Sequence, residues 1–225
     1  MVLKIRYFID GGADVLFNSK LIFRNAAVFL LGAACFIISQ PLLRLPILQS
    51  LQKSTVFTLA YTLNPLQIGI LIALSAGVFE EGFRFLFKQF LIRPSECSIS
   101  QPIIFGLGHG IAEAFIILVP ALTSVSVAQL GLAFLERGLT IILHVTLTVI
   151  VWNGFQKKQR VLYLLIAIAI HCFVDALIPV FAPFSNFVLL LEGSLAVIDV
   201  LLIMYTCYSK KYYIRRSWQN EEIST

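Results

Sequence analysis

With 225 residues, 59% of them hydrophobic and only 13% charged, and a mean hydropathy of +0.90, the chain is not an ordinary soluble domain, where about a quarter of residues carry charge. The net charge of +5 does not point to nucleic acid, because the basic residues form short clusters between apolar runs, where orientation in a bilayer accounts for them. The four cysteines, Cys35, Cys97, Cys172 and Cys207, form no CxxC pair and no secreted-type framework.

In chain order, Met1 to Arg24 carries Asp10 and Asp14 and no long apolar core, so no cleavable signal is expected. Apolar runs of about 20 residues, the length a helix needs to cross the hydrocarbon core, then predict six helices over 25–42, 65–91, 101–121, 127–154, 161–181 and 186–208. Breakers separate them: Pro41 and Pro46, Asn64-Pro65, Pro94, Pro102, Pro120 and Pro183. Segment 45–62, apolar but interrupted by Lys53, reads as an interfacial or re-entrant piece, with an additional span open. The expected fold is an all-α, polytopic transmembrane bundle over 25–208. A cytoplasmic segment 1–24 precedes it and a basic cytoplasmic tail 209–225 follows.

Charge predicts the orientation. With the N-terminus inside, 13 of the 17 basic residues face the cytoplasm, among them Lys4, Arg6, Lys20, Arg24, Lys88, Arg93, Lys157, Lys158, Arg160, Lys210, Lys211, Arg215 and Arg216. Arg44 and Lys53 lie opposite, and Arg84 and Arg137 fall inside spans. This bias predicts a multi-pass protein of the cell membrane with both termini cytoplasmic. Tyr205, Tyr208, Tyr212, Tyr213 and Trp152 read as interfacial anchors, with membrane lipids as partners.

Into these spans the sequence places Glu80, Glu81, Arg84, Glu113, Glu136, Arg137, Asp175, Glu192 and Asp199, and all three histidines, His109, His144 and His171. A charge at mid-membrane costs about 2.5–3.5 kcal/mol on insertion scales, so nine unpaired ones would cost on the order of 25 kcal/mol. They must be paired, neutral or facing a wet cavity. Helical spacing lets Glu80 or Glu81 reach Arg84, and sets His109 beside Glu113 and His171 beside Asp175, each carboxylate able to orient its ring. Arg137 and His144, seven apart, share a face. Counted inward at 1.5 Å per residue, Glu80, Glu81, His109, His144 and His171 fall in one layer roughly 11–17 Å deep.

Such a layer can activate water. A sheltered carboxylate takes a proton from water and returns it to a leaving amine, with imidazoles to stabilise an oxyanion. Alternatively, histidines and a Glu, from His109, His144, His171 and Glu81, hold a zinc ion that acidifies the water. The residues alone leave both open. Gly106, Gly108 and Gly110 around His109 allow close approach of backbone or substrate, or serve helix packing.

These motifs together resemble a family. Glu80-Glu81-Gly82-Phe83-Arg84, the stretch Phe105 to Glu113 around His109, Glu136-Arg137 followed by His144, and His171-x-x-x-Asp175 are similar to the YhfC-type intramembrane metalloproteases. That group is related to the CAAX prenyl endopeptidases and bacteriocin-processing enzymes, to PrsW, and to the anterior-pharynx-defective subunit of gamma-secretase. The resemblance runs from Phe29, through Ser39-Gln40-Pro41 and Arg44-Leu45-Pro46, to Asp199. It implies a hydrolase in which Glu80 or Glu81 activates water with His109, His171 and Asp175 stabilise the oxyanion, and His144 is a further site residue. Two residues separate the Glu pair from Arg84 where the CAAX-type motif has three, which leaves the choice of Glu open. The expected activity is intramembrane cleavage of a membrane-associated peptide or protein near the cytoplasmic leaflet. A non-catalytic scaffold binding a transmembrane partner through the same cavity is the alternative. A proton-coupled transporter ranks below both, for want of an inverted repeat.

Overall fold

The computed structural model describes residues 21–92, 97–124 and 126–213. Most of segments 1–24 and 209–225 lies outside the described residues, as do Lys4, Arg6, Lys20, Arg93, Arg215 and Arg216 of the charge count. Every regular element described is a helix. In chain order these are α1 (Leu21–Gln52), α2 (Thr55–Leu63), α3 (Pro65–Phe90), α4 (Ser100–Ser124), α5 (Val127–Gln156), α6 (Arg160–Phe181) and α7 (Phe187–Ser209). Five of them are long and apolar enough to cross a membrane, and α2 with α3 make a sixth candidate span if that bent pair is one unit. The protein is therefore a multi-pass membrane protein. Its outer surface carries side chains such as Phe23, Val127 and Leu189 in the open, which a hydrocarbon solvent accommodates.

Two expectations about the first third of the chain need correction. The first helix does not stop at residue 42. It continues to Gln52, because Pro41 is absorbed in a π-helical turn over Ile38–Arg44 and Pro46 sits in the first turn of the next α-helical stretch. A proline lacks its N–H and its ring crowds the carbonyl four residues back, and a widened turn relieves both. Only the rest of the segment, α2, behaves as a broken piece, meeting α3 at 117° across Asn64-Pro65. Arg44 consequently leaves the outer loop where the charge pattern placed it. Its guanidinium bonds Ser75 Oγ and the Ile72 carbonyl of α3, both at 2.9 Å.

Glycines set the helix spacing. A Cβ on Gly108 would stand 2.0 Å from the Phe29 carbonyl of α1, and one on Gly32 2.0 Å from the Phe105 carbonyl of α4. On the other side of α4, a Cβ on Gly106 would stand 2.6 Å from Val145 of α5, and one on Gly110 3.0 Å from Ile141. The glycines around His109 are thus packing contacts on both flanks, the small-residue device of membrane helices. The α4–α5 connection is short because Ser126 and Gln129 form a capping box at the start of α5.

The end of the bundle near Lys88 and Lys157 is densely filled. Trp152, Phe105, Leu147 and Val151 are fully buried there, with Trp152 and Phe105 rings 5.0 Å apart. Trp152 is therefore a core residue rather than an interfacial anchor, and Tyr213 also turns inward, its hydroxyl donating to the Val149 carbonyl. Tyr208 remains exposed.

Candidate active site

Four helices deliver the expected layer to one point. Glu80 of α3 is its hub. Its Oε2 lies 2.9 Å from His109 Nε2 of α4 and 3.7 Å from His144 Nδ1 of α5, and its Oε1 lies 3.9 Å from His171 Nε2 of α6. The three rings follow one another, with centroids 4.7 Å apart for His109 and His144 and 5.7 Å for His144 and His171. All four side chains are buried.

Glu81, one residue on, faces a different set of partners. It binds the Arg84 guanidinium through both oxygens and accepts from His171 Nδ1 at 2.9 Å. Glu81 and Arg84 are completely buried. A buried carboxylate and guanidinium stabilise each other only as a pair, so Glu81 is committed to Arg84. Arg84 also reaches His144 Nδ1 at 3.2 Å. A guanidinium only donates, so Nδ1 accepts and the ring proton lies on Nε2.

Glu113 does not orient His109, as the four-residue spacing suggested. It turns to α5, where its Oε1 accepts from Arg137 at 2.8 Å and its Oε2 lies 2.5 Å from His144 Nε2. Arg137 and His144 do share a face, and Glu113 stands between them. Arg137 also binds Glu136 at 2.5 Å. Asp175 Oδ2 is 3.7 Å from His171 Nε2. Glu192 and Asp199 stay apart from the cluster. Asp199 is buried, with no hydrogen-bond partner for either carboxylate oxygen among the described residues.

One contributor was not assigned a site role from sequence. Gln40, in the π-turn of α1, donates its amide to Glu80 Oε1, and its own carbonyl oxygen accepts from Arg44 at 2.9 Å. The signal was available: a Ser-Gln-Pro triplet and an arginine interrupting an otherwise apolar run.

A metal ion fits this arrangement. Glu80, His109, Glu113 and His144 each offer one donor atom, all within 4.8 Å of one another, and mixed imidazole and carboxylate donors suit zinc. Glu113 Oε2, although 2.5 Å from His144 Nε2, has no hydrogen bond of proper geometry, and His109 Nδ1 is buried without one too. A carboxylate oxygen and an imidazole nitrogen crowded together without a good hydrogen bond, as in the Glu113–His144 pair, are what a shared cation would reconcile. His144 can offer Nε2 only by moving its ring proton to Nδ1, which would end the Arg84 contact. Of the expected ligands His109, His144, His171 and Glu81, this group contains the first two. His171 stands beside it and Glu81 is held by Arg84.

A cavity of about 550 Å³ reaches the cluster. Glu80, Glu113, His144, His171 and Asp175 line it, together with Glu136, Arg137, Gln40 and Arg44 and with apolar walls from α3, α4, α6 and α7.

Fold and site define the class, a multi-pass membrane protein with a carboxylate–imidazole cluster buried among its helices. Over residues 13–122 and 117–193 the chain matches the model of the YhfC intramembrane metalloprotease family, and it belongs to that family. No curated protein matches it.

Proposed function

We propose that this protein is an intramembrane endopeptidase with Glu80 as its general base. The observation that carries the reading is the position of Glu80. It lines the cavity, is held by Gln40 and is ringed by three histidines, whereas its neighbour Glu81 is sealed behind it in an ion pair. A carboxylate so placed takes a proton from water as the oxygen attacks a peptide carbonyl, then passes it to the amine that leaves when the C–N bond breaks. His171, with Asp175 beside it, faces the place where the carbonyl oxygen becomes negative and donates to it.

His109, Glu113 and His144 would hold a zinc ion, through two imidazoles and a carboxylate. Such an ion would supply acidification of the attacking water and polarisation of the carbonyl. Glu80, the fourth member of the donor group, then serves the water rather than the ion. Glu136 and Arg137 hold Glu113 in place. The protein sits in the cell membrane with both termini in the cytoplasm, as the distribution of basic residues implies, and belongs with the CAAX-type superfamily.

The test is cleavage of transmembrane peptides by purified protein in liposomes, with products identified by mass spectrometry. Wild type cuts, and Glu80→Gln, folded as judged by thermal unfolding, does not. A Glu80→Gln protein that cuts as wild type does would end the assignment. Binding of the peptides without cleavage by wild type would favour a scaffold.

A further inference from the structure

Depth alone does not decide from which side substrate arrives, since a layer about 11–17 Å below one surface of a ~30 Å core is near its middle. The packing does decide it. Toward the basic end, the cluster is backed by Glu81 and Arg84, both with no exposed side-chain surface, and then by Lys88, Phe105, Leu147 and Trp152, none more than 1% exposed. Toward the other end exposure rises, with 14% of the Glu113 side chain, 31% of Asp175 and 38% of Glu136 accessible.

The cavity follows the same direction. Apart from Phe36, Glu80, Leu143 and His144 around the cluster itself, its walls come from the second halves of α1, α4 and α6, the first halves of α3, α5 and α7, and from α2. Arg44, Tyr61, Ile116, Arg137, Pro179 and Leu191 each represent one of these elements. All of those helix ends lie away from Lys88, Lys157, Arg160 and Lys210. Among the described residues of the open end, Lys53 is the basic residue outside the bundle, since Arg44 is folded into it.

Size and lining restrict the occupant. A helical span about 30 Å long and 10–12 Å wide fills on the order of 2,500 Å³, several times the 550 Å³ present. A short unwound stretch does fit, its apolar side chains against Ile72, Ile116 and Ile178 and its carbonyl at the polar floor.

We propose that substrate enters from the face opposite the basic loops, as a short unwound apolar stretch of polypeptide that reaches down to Glu80. With the basic loops cytoplasmic, this is the outer face, and cleavage near the cytoplasmic leaflet is replaced by access from the opposite side. The peptide identity of the occupant rests on the proposed protease reading, but the direction of access does not.

The experiment uses the full chain with Cys35, Cys97, Cys172 and Cys207 replaced by alanine and one cysteine added, in right-side-out and inverted vesicles treated with a membrane-impermeant maleimide. Thr140→Cys lies deep in the cavity, Tyr61→Cys at its mouth, and Lys158→Cys in the basic α5–α6 loop. Thr140→Cys should react in the same vesicles as Tyr61→Cys, and Lys158→Cys in the opposite ones. Reaction of Thr140→Cys from the Lys158→Cys side, or from neither side, overturns the assigned entrance. Ile178→Cys, on another wall, replaces Thr140→Cys should that variant not fold. A peptide whose apolar stretch is flanked by Gly and Pro should slow this labelling at least fivefold, while the same stretch without breakers should not. Equal protection by both overturns the unwound substrate. These readouts need no turnover, so an inactive protein would defeat the protease reading while leaving the entrance standing.

Discussion

Glu80 and Glu81 are adjacent in the chain, yet Glu80 Oε2 lies 2.9 Å from His109 Nε2 while Glu81 Oε1 lies 2.9 Å from His171 Nδ1 and is bound to Arg84. Successive residues on a helix point about 100° apart, so one carboxylate turns to the cavity and the other into the protein. Two acids that the sequence presents as equivalent thereby acquire different work.

Glu80→Gln should lower the cleavage rate by about 10²–10⁴-fold, the usual contribution of a positioned base, with little change in thermal stability. Glu81→Ala should instead leave Arg84 buried without its counter-charge and cost about 3–5 kcal/mol. Thermal unfolding in detergent, run beside the cleavage assay, separates the two. Equal stability of the two variants would contradict the division.

Metal content gives an independent check. Purified wild type should carry about one zinc per chain, and a strong chelator should remove both metal and activity. His109→Ala and Glu113→Ala should lose the ion. Glu80→Gln and His171→Ala should keep it while losing turnover. Elemental analysis of the four variants measures this directly. Retention of zinc by His109→Ala would remove that residue from the ligand set.

Gln40 acts through Glu80. Its amide donates to Glu80 Oε1 and its oxygen is fixed by Arg44, so the π-turn of α1 aims the base. Partners of this kind typically contribute 10–100-fold. Gln40→Ala should reduce kcat by that order and leave KM nearly unchanged. Gln40→Glu should be worse, because it brings a second carboxylate against the first. A Gln40→Ala enzyme with wild-type kcat would exclude a positioning role.

Much of this site was legible because membrane burial makes polar residues conspicuous. Each of Glu80, His109, His144 and His171 interrupts an apolar run, and helical rise alone places them in one layer. What spacing could not tell was partner choice. His109 and Glu113 are a feasible i, i+4 pair, but α5 offers Glu113 an arginine and an imidazole together, and that interhelical arrangement prevails. The path of α1 was missed for a related reason. Pro41 reads as a stop signal locally, whereas the π-turn and the contacts of Arg44 with α3 carry the helix through. Trp152 was read from its place near a span end, and only packing shows that it faces Phe105 rather than lipid.

The helix spacing that holds the site together rests on Gly32 and Gly108, which let the α1 and α4 backbones touch. A methyl on Gly108 would sit 2.0 Å from the Phe29 carbonyl, a contact that no rotamer change can relieve because the obstacle is backbone. Gly108→Ala should therefore force α1 away from α4, costing at least the 1–3 kcal/mol typical of overpacking, and should reduce cleavage by moving Gln40 relative to His109. Gly131 of α5 is the control, since nothing lies within 4 Å of a Cβ there. Gly131→Ala should stay within about 1 kcal/mol of wild type and gain slightly from helix propensity. Paired thermal unfolding and cleavage measurements should show both properties falling together for Gly108→Ala and neither for Gly131→Ala. A stable, active Gly108→Ala protein would mean that the α1–α4 contact does not set the position of Gln40.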